Sequence, residues 1–267
     1  MDISKIKLIL KKEWLQLKQQ KGLVLTTFFL PLLFTVLPLA VIFAVGHFPT
    51  DDLDDLEALL DIARQNPTLA ALSTPELLQA AMGTPLSGML LLLPVILPSI
   101  IASYSIVGEK VSGTLEPLLA TPITTFELLL AKILTALIPS VGLTWFFGLV
   151  YVIGLYFVTL SSAVFGAIIN LSWLILIVLC APLLSLAAIA ATVAASSRAN
   201  DPRTAQQISA IVIIPVVLVI AGQFAGLVVV SPVFSLILAF VLALLASIAI
   251  WVATRLFGRE AILTRWS

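Results

Sequence analysis

The chain has 267 residues, of which 61% are hydrophobic and only 10% are charged, and its formal net charge is zero. A soluble domain would carry roughly a quarter charged residues, so the composition excludes an ordinary soluble domain and indicates that the bilayer is the solvent. The single cysteine, Cys180, and the single histidine, His47, exclude a disulfide framework and a clustered Cys/His metal site.

The first 22 residues predict an amphipathic helix that lies in the cytoplasmic interface of the membrane. Apolar residues recur at spacings of three and four, and Lys5 and Lys12 stand opposite this stripe. The stripe consists of Ile3, Ile6, Leu10, Trp14 and Leu17. A generic positively charged anchor would explain the lysines but not the stripe. We expect Trp14 at headgroup level and a turn into the membrane at Gly22.

Six apolar segments are each long enough to cross roughly 30 Å of hydrocarbon as a helix. They cover residues 23–45, 86–107, 133–158, 168–195, 208–230 and 233–256, and Arg255 is the only charged residue within them. The first segment is too long for the apolar part of a secretory signal, so we expect an uncleaved anchor. The sequence therefore predicts an all-α integral membrane protein, with an interfacial helix at 1–22 and a six-helix transmembrane domain at 23–267.

The basic residues predict the orientation of the spans. With six spans, all of the 14 Lys and Arg residues except Arg64 fall on the side of the N-terminus. The positive-inside rule therefore predicts that both termini are cytoplasmic.

The one sizeable outer loop, 46–85, is acidic and contains the run 51-DDLDDLE-57. Thr50 can cap a first short helix, and a second is expected with Thr74 as N-cap, Pro75 at the first helical position and Gly83 just past its end. A calcium-binding EF-hand loop beginning at Asp51 is disfavoured, because Leu56 and Ile62 replace the required Gly and Glu. A solvated acidic helix face is the better interpretation.

A charged insert, 108–132, connects spans two and three on the cytoplasmic side. Gly113 permits a bend, Thr114 can cap a short helix, and Pro122 ends it. Thr124 and Glu127 have the spacing of a capping box at the start of span three. Leu115, Leu118 and Leu119 would lie outside the bilayer, so they either rest on the membrane surface or fill a groove in a partner.

The insert contains an incomplete nucleotide-binding motif. Gly108 and Gly113 have the spacing of a phosphate-binding loop, but Thr114 occupies the place of the essential Lys and a span precedes the motif instead of a strand. We therefore expect no ATP binding by this chain. The sequence also contains no nucleophile with a base and no carboxylate pair in a membrane-side cleft, so a catalytic function is not expected.

The run 109-EKVSGTLEPLLATPIT-124, followed by 127-ELLLAK-132, resembles the signature cytoplasmic loop of ABC-2 type transporter permeases. The stretches 196-SSRANDPRTAQQ-207 and 257-FGREAILTRW-266 fit the same family, and the resemblance extends over essentially the whole chain. Within the family, the chain looks most like components of sodium and drug efflux systems, although their loop between spans one and two is often much larger than 46–85.

The resemblance implies a membrane permease subunit in the plasma membrane of a bacterium or archaeon, without nucleic-acid partners. Two permease copies would pair as a homodimer in the membrane lipid, and two soluble ABC ATPase subunits would bind below and carry the ATP and Mg. Residues 112–122 would be the coupling helix that sits in a cleft of each ATPase. The residues implied for this contact are Glu109, Gly113, Thr114, Leu115, Glu116, Leu118, Leu119, Thr121 and Pro122.

The resemblance also implies that spans two and five line the central translocation path. The residues proposed for it are Pro94, Pro98, Ser99, Ser103, Tyr104, Pro215, Gln223 and Phe224. Prolines within a span free backbone carbonyl groups, and a polar group at membrane depth usually faces a protein interior or a cavity. Gln223 lies inside 222-GQFAG-226, a spacing that would allow close helix approach. An interhelical hydrogen bond without substrate contact explains Gln223 equally well.

The main alternative is a secondary transporter or channel driven by an ion gradient. Such a protein usually carries an ionisable residue at membrane depth, and the interiors of the predicted spans contain none. An exporter subunit without bound cofactors is therefore favoured. Neutral, mainly apolar path residues suit a hydrophobic or amphiphilic cargo, although backbone carbonyl groups at the prolines could also serve a cation.

Overall fold

The computed structural model describes residues 3–48, 57–64, 69, 72–111, 113, 124–196 and 201–256. All of the regular structure within these ranges is helical, and six of the helices are long and apolar enough to cross a membrane. The predicted all-α fold with six helices able to span a membrane is confirmed.

The spans run longer than hydropathy predicts at several ends. The N-terminal helix covers Ile3–Gln19, and the spans are Lys21–His47, Thr74–Glu109, Thr125–Val158, Leu171–Ser196, Pro202–Phe224 and Pro232–Leu256, numbered one to six. Two short helices, Glu57–Arg64 and Ser162–Ile168, lie outside the spans. Three spans contain an irregular turn: a 3-10 segment at Gly88–Leu92 in span two, a π turn at Leu176–Cys180 in span four, and a 3-10 turn at Ala210–Val212 in span five.

Span two is the central helix of the bundle. Of its most apolar stretch, 89% is buried, compared with 11% for span five. Its sequence is apolar on all faces, as expected for a helix surrounded by other helices. Leu90, Leu93 and Leu97 are fully buried, and the span packs against spans one, three, four and five.

We name the two ends of the bundle by the N-terminal helix. The proximal end carries this helix, the ends of spans two and four and the starts of spans three and five. The distal end carries His47, Thr74, Val158 and Phe224. The N-terminal helix packs Ile6 and Ile9 against the first turns of span three, whereas Trp14 is 40% exposed. The apolar stripe therefore forms a packing face that includes Ile9 and places Trp14 outside it.

The predicted second outer helix is the distal part of span two. Its N-cap is Ser73 rather than Thr74, because Glu76 accepts hydrogen bonds from the backbone N and the hydroxyl of Ser73 (3.0 and 2.7 Å). The helix continues through Gly83 instead of ending there. Gly83 serves close packing: a Cβ added at this position would overlap the Ile168 side chain.

Gln79 joins three chain segments at the distal end, an arrangement we call the distal clamp. Its Nε2 donates to the carbonyl oxygens of Ile42 (3.0 Å) and Val158 (3.2 Å), and its Oε1 accepts from the backbone N of Leu160 (3.0 Å). A Cβ added at Gly46 would overlap this amide side chain. The clamp therefore depends on a glycine in span one and fixes the ends of spans one and three to span two.

Two predicted span boundaries are wrong for local reasons. Span four begins at Leu171, not 168, because Asn170 caps it through Oδ1, which accepts from the backbone N of Trp173 (3.1 Å). Span five begins at Pro202, not 208, because Asp201 accepts from the backbone N of Thr204 (2.9 Å). The predicted capping box at the start of span three is confirmed by reciprocal hydrogen bonds between Thr124 and Glu127.

Span five also ends at Phe224 rather than near 230. Gly226 has φ +68°, and the backbone N atoms of Leu227 and Val228 both donate to the carbonyl oxygen of Gly222 (2.8 and 3.0 Å). A Cβ on Gly222 would lie 2.6 Å from Val228. The two glycines of the G-x-x-x-G motif therefore reverse the chain at the distal end; close approach of two helices is not their use.

Candidate functional site

Four ionisable side chains form a buried cluster at the proximal end. Lys12 and Glu13 come from the N-terminal helix, Glu109 from the end of span two, and Lys132 from the start of span three. Lys132 is 1% exposed and Glu13 is 2% exposed. Two cations and two anions thus lie together with no formal net charge. We call this group the proximal ion cluster.

The geometry of the cluster centres on the ammonium group of Lys132. Its Nζ donates to the carbonyl oxygen of Ser105 (2.7 Å) and to Glu13 Oε1 (3.3 Å), and it lies 2.7 Å from Glu109 Oε2. Ser105 Oγ donates to Glu13 Oε2 (2.7 Å), and Lys12 bridges the two carboxylates on the more exposed side. The N-terminal helix, span two and span three are therefore joined at one point.

The cluster shifts the pKa values of Glu13 and Lys12 in the directions that favour their charged forms. Burial alone would raise the pKa of Glu13, but the charge of Lys132, the hydrogen bond from Ser105 and the charge of Lys12 together lower that pKa below its ordinary value. Burial would likewise lower the pKa of Lys12. The hydrogen bond to Glu109 and the charges of both carboxylates outweigh it and raise that pKa.

Sequence reasoning missed the cluster. It placed Lys12 on the solvent side of the helix and treated Lys132 as a loop residue outside span three. Two signals were available: Glu13 is the only acid within Ile3–Gln19, and Lys132 lies inside the apolar run 128-LLLAKIL-134. In the sequence, each charged residue alone is compatible with exposure to solvent. Only the contact among the N-terminal helix, span two and span three shows that these side chains pair.

The predicted coupling residues belong to the stretch of chain between span two and span three. Two residues of the proximal ion cluster, Glu109 and Lys132, flank this stretch. Glu109 is 5% exposed and belongs to the cluster, and Gly113 has φ +67°, the left-handed conformation expected for a bend. Thr114, Leu115, Glu116, Leu118, Leu119, Thr121 and Pro122 fall outside the described residues. The structure thus fixes where this segment leaves span two and where it re-enters span three, since Glu109 and Lys132 are held together.

The proximal end also contains a polar cavity between spans one, two and five. It has a volume of about 700 Å³ and opens to the surface. Tyr104 of span two lies in its wall opposite Arg203, Gln206 and Gln207 of span five. Of the predicted path residues, Tyr104 is therefore the one at this proximal vestibule.

Four other predicted path residues, Pro94, Pro98, Ser99 and Ser103, lie within the packed interior of span two. The Ser99 hydroxyl donates to the carbonyl oxygen of Val95 (2.8 Å), and the Ser103 hydroxyl donates to that of Ile100 (2.8 Å). These hydroxyls satisfy backbone carbonyl groups near the prolines. None of the four lines the proximal vestibule or the cavities at the distal end.

A second cavity lies between the distal halves of spans two, four, five and six. We call it the distal chamber; it has a cavity volume of about 90 Å³, and Pro215 and Gln223 are in its wall. A wider space of about 600 Å³, the distal mouth, adjoins it and shares Thr84, Asn170 and Gln223. Phe224 packs against the apolar core beside the chamber. Three of the predicted path residues thus line cavities at opposite ends of one chain: Tyr104 at the proximal vestibule, and Pro215 and Gln223 at the distal chamber.

Within the described ranges, His, Cys, Asp and Glu side chains do not come together in any group of three that could hold a metal ion. The polar side-chain groups of the proximal vestibule and the distal chamber are hydroxyls, amides, one guanidinium, one indole and one thiol. Such groups can bind and orient a solute, and the ionisable groups of the proximal cluster can join helices.

Six apolar helices, of which span two is the buried central one, define a multi-pass membrane protein. Residues 8–233 match the family model for ABC-2 family transporter proteins, and the chain belongs to this family. No curated protein matches the chain significantly. Membership identifies the chain as a membrane permease of an ABC transporter, a type of subunit that is typically non-catalytic and associates with an ABC ATPase.

Proposed function

We propose that this chain is the permease subunit of an ATP-driven exporter in the plasma membrane of a bacterium or archaeon. Two copies would pair as a homodimer, and two separate ATPase subunits would bind at the proximal end, which would face the cytoplasm. The subunit would belong with sodium or drug efflux systems. The observation that carries the proposal is the proximal ion cluster, because it anchors both ends of the segment 112–123 to the transmembrane bundle.

Anchored ends suit a segment that transmits force. A flexible connection would absorb movement of an ATPase, whereas the bonds among Glu109, Lys132 and Glu13 would pass it to spans two and three and to the N-terminal helix. The buried position of Glu109 favours a positioning role for this residue. The proposed direct contacts with the ATPase are then Glu116 and the apolar group Leu115, Leu118 and Leu119.

The proximal vestibule supports the proposal that spans two and five line the translocation path. Tyr104 and Gln206 come from these two spans and lie in the wall of one open cavity. Cargo would enter there from the cytoplasm or the inner leaflet. The neutral, mainly apolar wall of the distal chamber suits hydrophobic or amphiphilic cargo.

The test is stimulation of ATP hydrolysis. The chain would first be purified from its native membrane with mild crosslinking, and the ATPase recovered with it would be reconstituted with each variant. Leu118→Asp and Glu116→Arg should insert normally and abolish the stimulation. Asp61→Arg is the matched control for charge reversal, because Asp61 is exposed at the distal end. Unchanged stimulation in both variants would remove the coupling role of this segment.

A gradient-driven transporter is the competing function, and the same preparation tests it. Liposomes that contain only this chain should show no uptake or release driven by a proton or sodium gradient. Gradient-driven flux in the absence of any nucleotide-binding subunit would overturn the exporter assignment.

A further inference from the structure

The proximal vestibule gathers hydrogen-bonding side chains that the chain itself does not use. Five such side chains line it: Gln20, Tyr104, Arg203, Gln206 and Gln207. Among the described residues, none of the five makes a side-chain hydrogen bond or an ion pair. The Thr26 hydroxyl differs, because it donates to the carbonyl oxygen of Gly22 (2.9 Å). Three amides, one phenol and one guanidinium are therefore available to a ligand in one cavity.

The charge of this cavity is positive. Arg203 is the only charged side chain among the described residues that line it, and no described carboxylate lies within ion-pair distance of its guanidinium. Asp201, two residues away, instead accepts from the backbone N and the hydroxyl of Thr204 (2.9 and 2.6 Å). A guanidinium presents its donors in a planar fork that matches a phosphate or a carboxylate. The vestibule is therefore suited to an anionic group.

The level of the vestibule along the bundle favours a lipid head group over a soluble anion. Gly22 and Arg203 lie in the first turns of spans one and five, and Tyr104 lies roughly 8 Å before the end of span two. These positions correspond to the membrane–water interface, where tyrosine is enriched. Deeper in the bundle, Leu23 and Ile100 continue the wall with apolar surface. A ligand with an anionic head and an apolar body matches this order.

The two spans that border the vestibule give it access to lipid. Of their most apolar stretches, only 22% is buried in span one and 11% in span five. Both helices therefore present most of their surface to the bilayer, and the vestibule between them and span two opens to the surface. A lipid can reach the cavity sideways from the leaflet with its acyl chains still in the membrane.

We propose that the proximal vestibule binds the head group of an anionic glycerophospholipid. The phosphate pairs with the guanidinium of Arg203, and Tyr104 and the amides of Gln206 and Gln207 donate to the remaining head-group oxygens. The volume of about 700 Å³ falls in the size range of ligand cavities. Basic pockets between membrane helices on the cytoplasmic side are suited to anionic head groups. Binding needs neither an ATPase nor a second copy of the chain, so this site and the exporter function can fail separately.

Native mass spectrometry tests the preference for an anionic head group. The purified, delipidated chain is mixed with equal amounts of dioleoyl phosphatidylglycerol and dioleoyl phosphatidylcholine. The two lipids share their acyl chains and a phosphate, but no described acid lines the vestibule to receive the choline cation. Phosphatidylglycerol should be retained in roughly tenfold excess, as expected for one charge-assisted hydrogen bond. Equal retention of the two lipids would overturn the proposal.

Photolabelling locates the bound lipid. The chain is placed in nanodiscs of phosphatidylcholine with a small fraction of a phosphatidylglycerol that carries a diazirine at the start of one acyl chain. After irradiation, peptide mass spectrometry should find label near Leu23 and Ile100. Label confined to membrane-facing residues elsewhere, such as Leu236 of span six, would contradict a site in the vestibule.

Two matched pairs of variants separate the site from general attraction between charges. Arg203→Gln should bring the ratio of the two retained lipids close to one, whereas Lys7→Gln removes an exposed charge of the N-terminal helix and should leave the ratio unchanged. Gln207→Glu places a negative charge in the vestibule and should also abolish the preference. Gln16→Glu adds the same charge at an exposed position and should not. Retention of phosphatidylcholine should be the same in all four variants, which a folding defect would not permit. Equal ratios within each pair would refute the site.

Two further arms identify the source of the anionic group. Inorganic phosphate at millimolar concentration should displace the lipid no better than sodium chloride of equal ionic strength. Specific displacement by phosphate would overturn the assignment of a lipid. The second arm alone rests on the proposed exporter function: with the recovered ATPase present, vestibule label that disappears during ATP turnover identifies transported cargo, and label that remains identifies a resident lipid. Both of these last outcomes support the site itself.

Discussion

Gln79 illustrates how one uncharged side chain can organise an end of a membrane bundle. Its amide satisfies two carbonyl groups and one backbone N–H at the ends of spans one and three, where the helices stop supplying partners. Within or near hydrocarbon, each unpaired group would be costly. The distal clamp therefore stabilises the helix ends as well as their mutual position.

Replacing Gln79 with Leu should destabilise the protein markedly. The change removes the partners of the Val158 carbonyl and the Leu160 N–H, and each unpaired group costs about 1–3 kcal/mol. Thermal unfolding in detergent should show a lower midpoint for Gln79→Leu than for Gln16→Leu, a control on the exposed side of the N-terminal helix. Equal midpoints would mean that water replaces the clamp fully.

Lys132 should be the most sensitive residue of the proximal ion cluster. Lys132→Met leaves Glu13 and Glu109 short of positive charge in a buried site, and loss of one partner of a buried pair costs about 3–5 kcal/mol. Adding Glu109→Gln should restore part of the loss. The measurement is the unfolding free energy of the single and double variants, with Lys7→Met as the exposed control. A double variant less stable than Lys132→Met would contradict this pairing.

These two residues show why part of the site escaped prediction. The sequence carries local signals, such as the capping box of Thr124 and Glu127, because both partners lie in one turn. Gln79 acts on residues 37 and 79 positions away along the chain. Lys132 meets a carboxylate 119 positions away. No periodicity encodes such pairings, so only the packed structure reveals them.

At the scale of elements, the existence of the six spans followed from hydropathy, whereas their ends depended on capping and packing. Apolar composition continues past Phe224 to Val230, so a hydropathy pattern cannot place the end of span five. The positive φ of Gly226 places it. At Gly83 the error was the opposite one, because the sequence predicted a helix end where the helix continues. A glycine that serves close packing has the same sequence signature as a glycine at a helix end.

The chain reversal after span five yields a prediction for its glycines. Gly226→Ala should lower stability by roughly 1–2 kcal/mol because a left-handed conformation is strained for alanine. Gly142→Ala is the control: it lies in span three, and a Cβ there meets nothing within 4 Å. Unfolding midpoints of the two variants should differ clearly, with Gly142→Ala at or slightly above the parent. Identical midpoints would argue against the reversal.

At the scale of the whole molecule, the side chains packed between the spans are largely uncharged. The buried ionic contacts are concentrated at the proximal end. The proximal cluster therefore gives the fold a dependence on pH. Glu13 has a folded-state pKa below its ordinary 4.5, so its stabilising contribution is present at higher pH and is lost as pH falls through the lowered value. Lys12 has a pKa raised above 10.5, so its contribution is lost only as pH rises through that higher value.

We therefore expect the stability difference between the parent and Glu13→Gln to stay constant between about pH 6 and pH 9. It should shrink in acid, once Glu13 becomes protonated. Unfolding midpoints of both proteins, measured from about pH 9 down into the acid range below pH 4.5, provide the check, because other titrating groups cancel in the difference. A difference that grows in acid would contradict the assigned ionisation state.

Span three is fixed to span two by a polar contact near each of its ends. Lys132 and Val158 are held at opposite ends of the bundle, and 26 residues of helix at 1.5 Å each place these fixed points roughly 39 Å apart. Because both contacts are made to span two, span three can neither slide along that helix nor rotate against it. Pro139 lies between these contacts, and a proline within a helix is a common site of bending. A push on the proximal end would therefore move spans two and three together at both fixed points, and any bending of span three between these points would occur at Pro139.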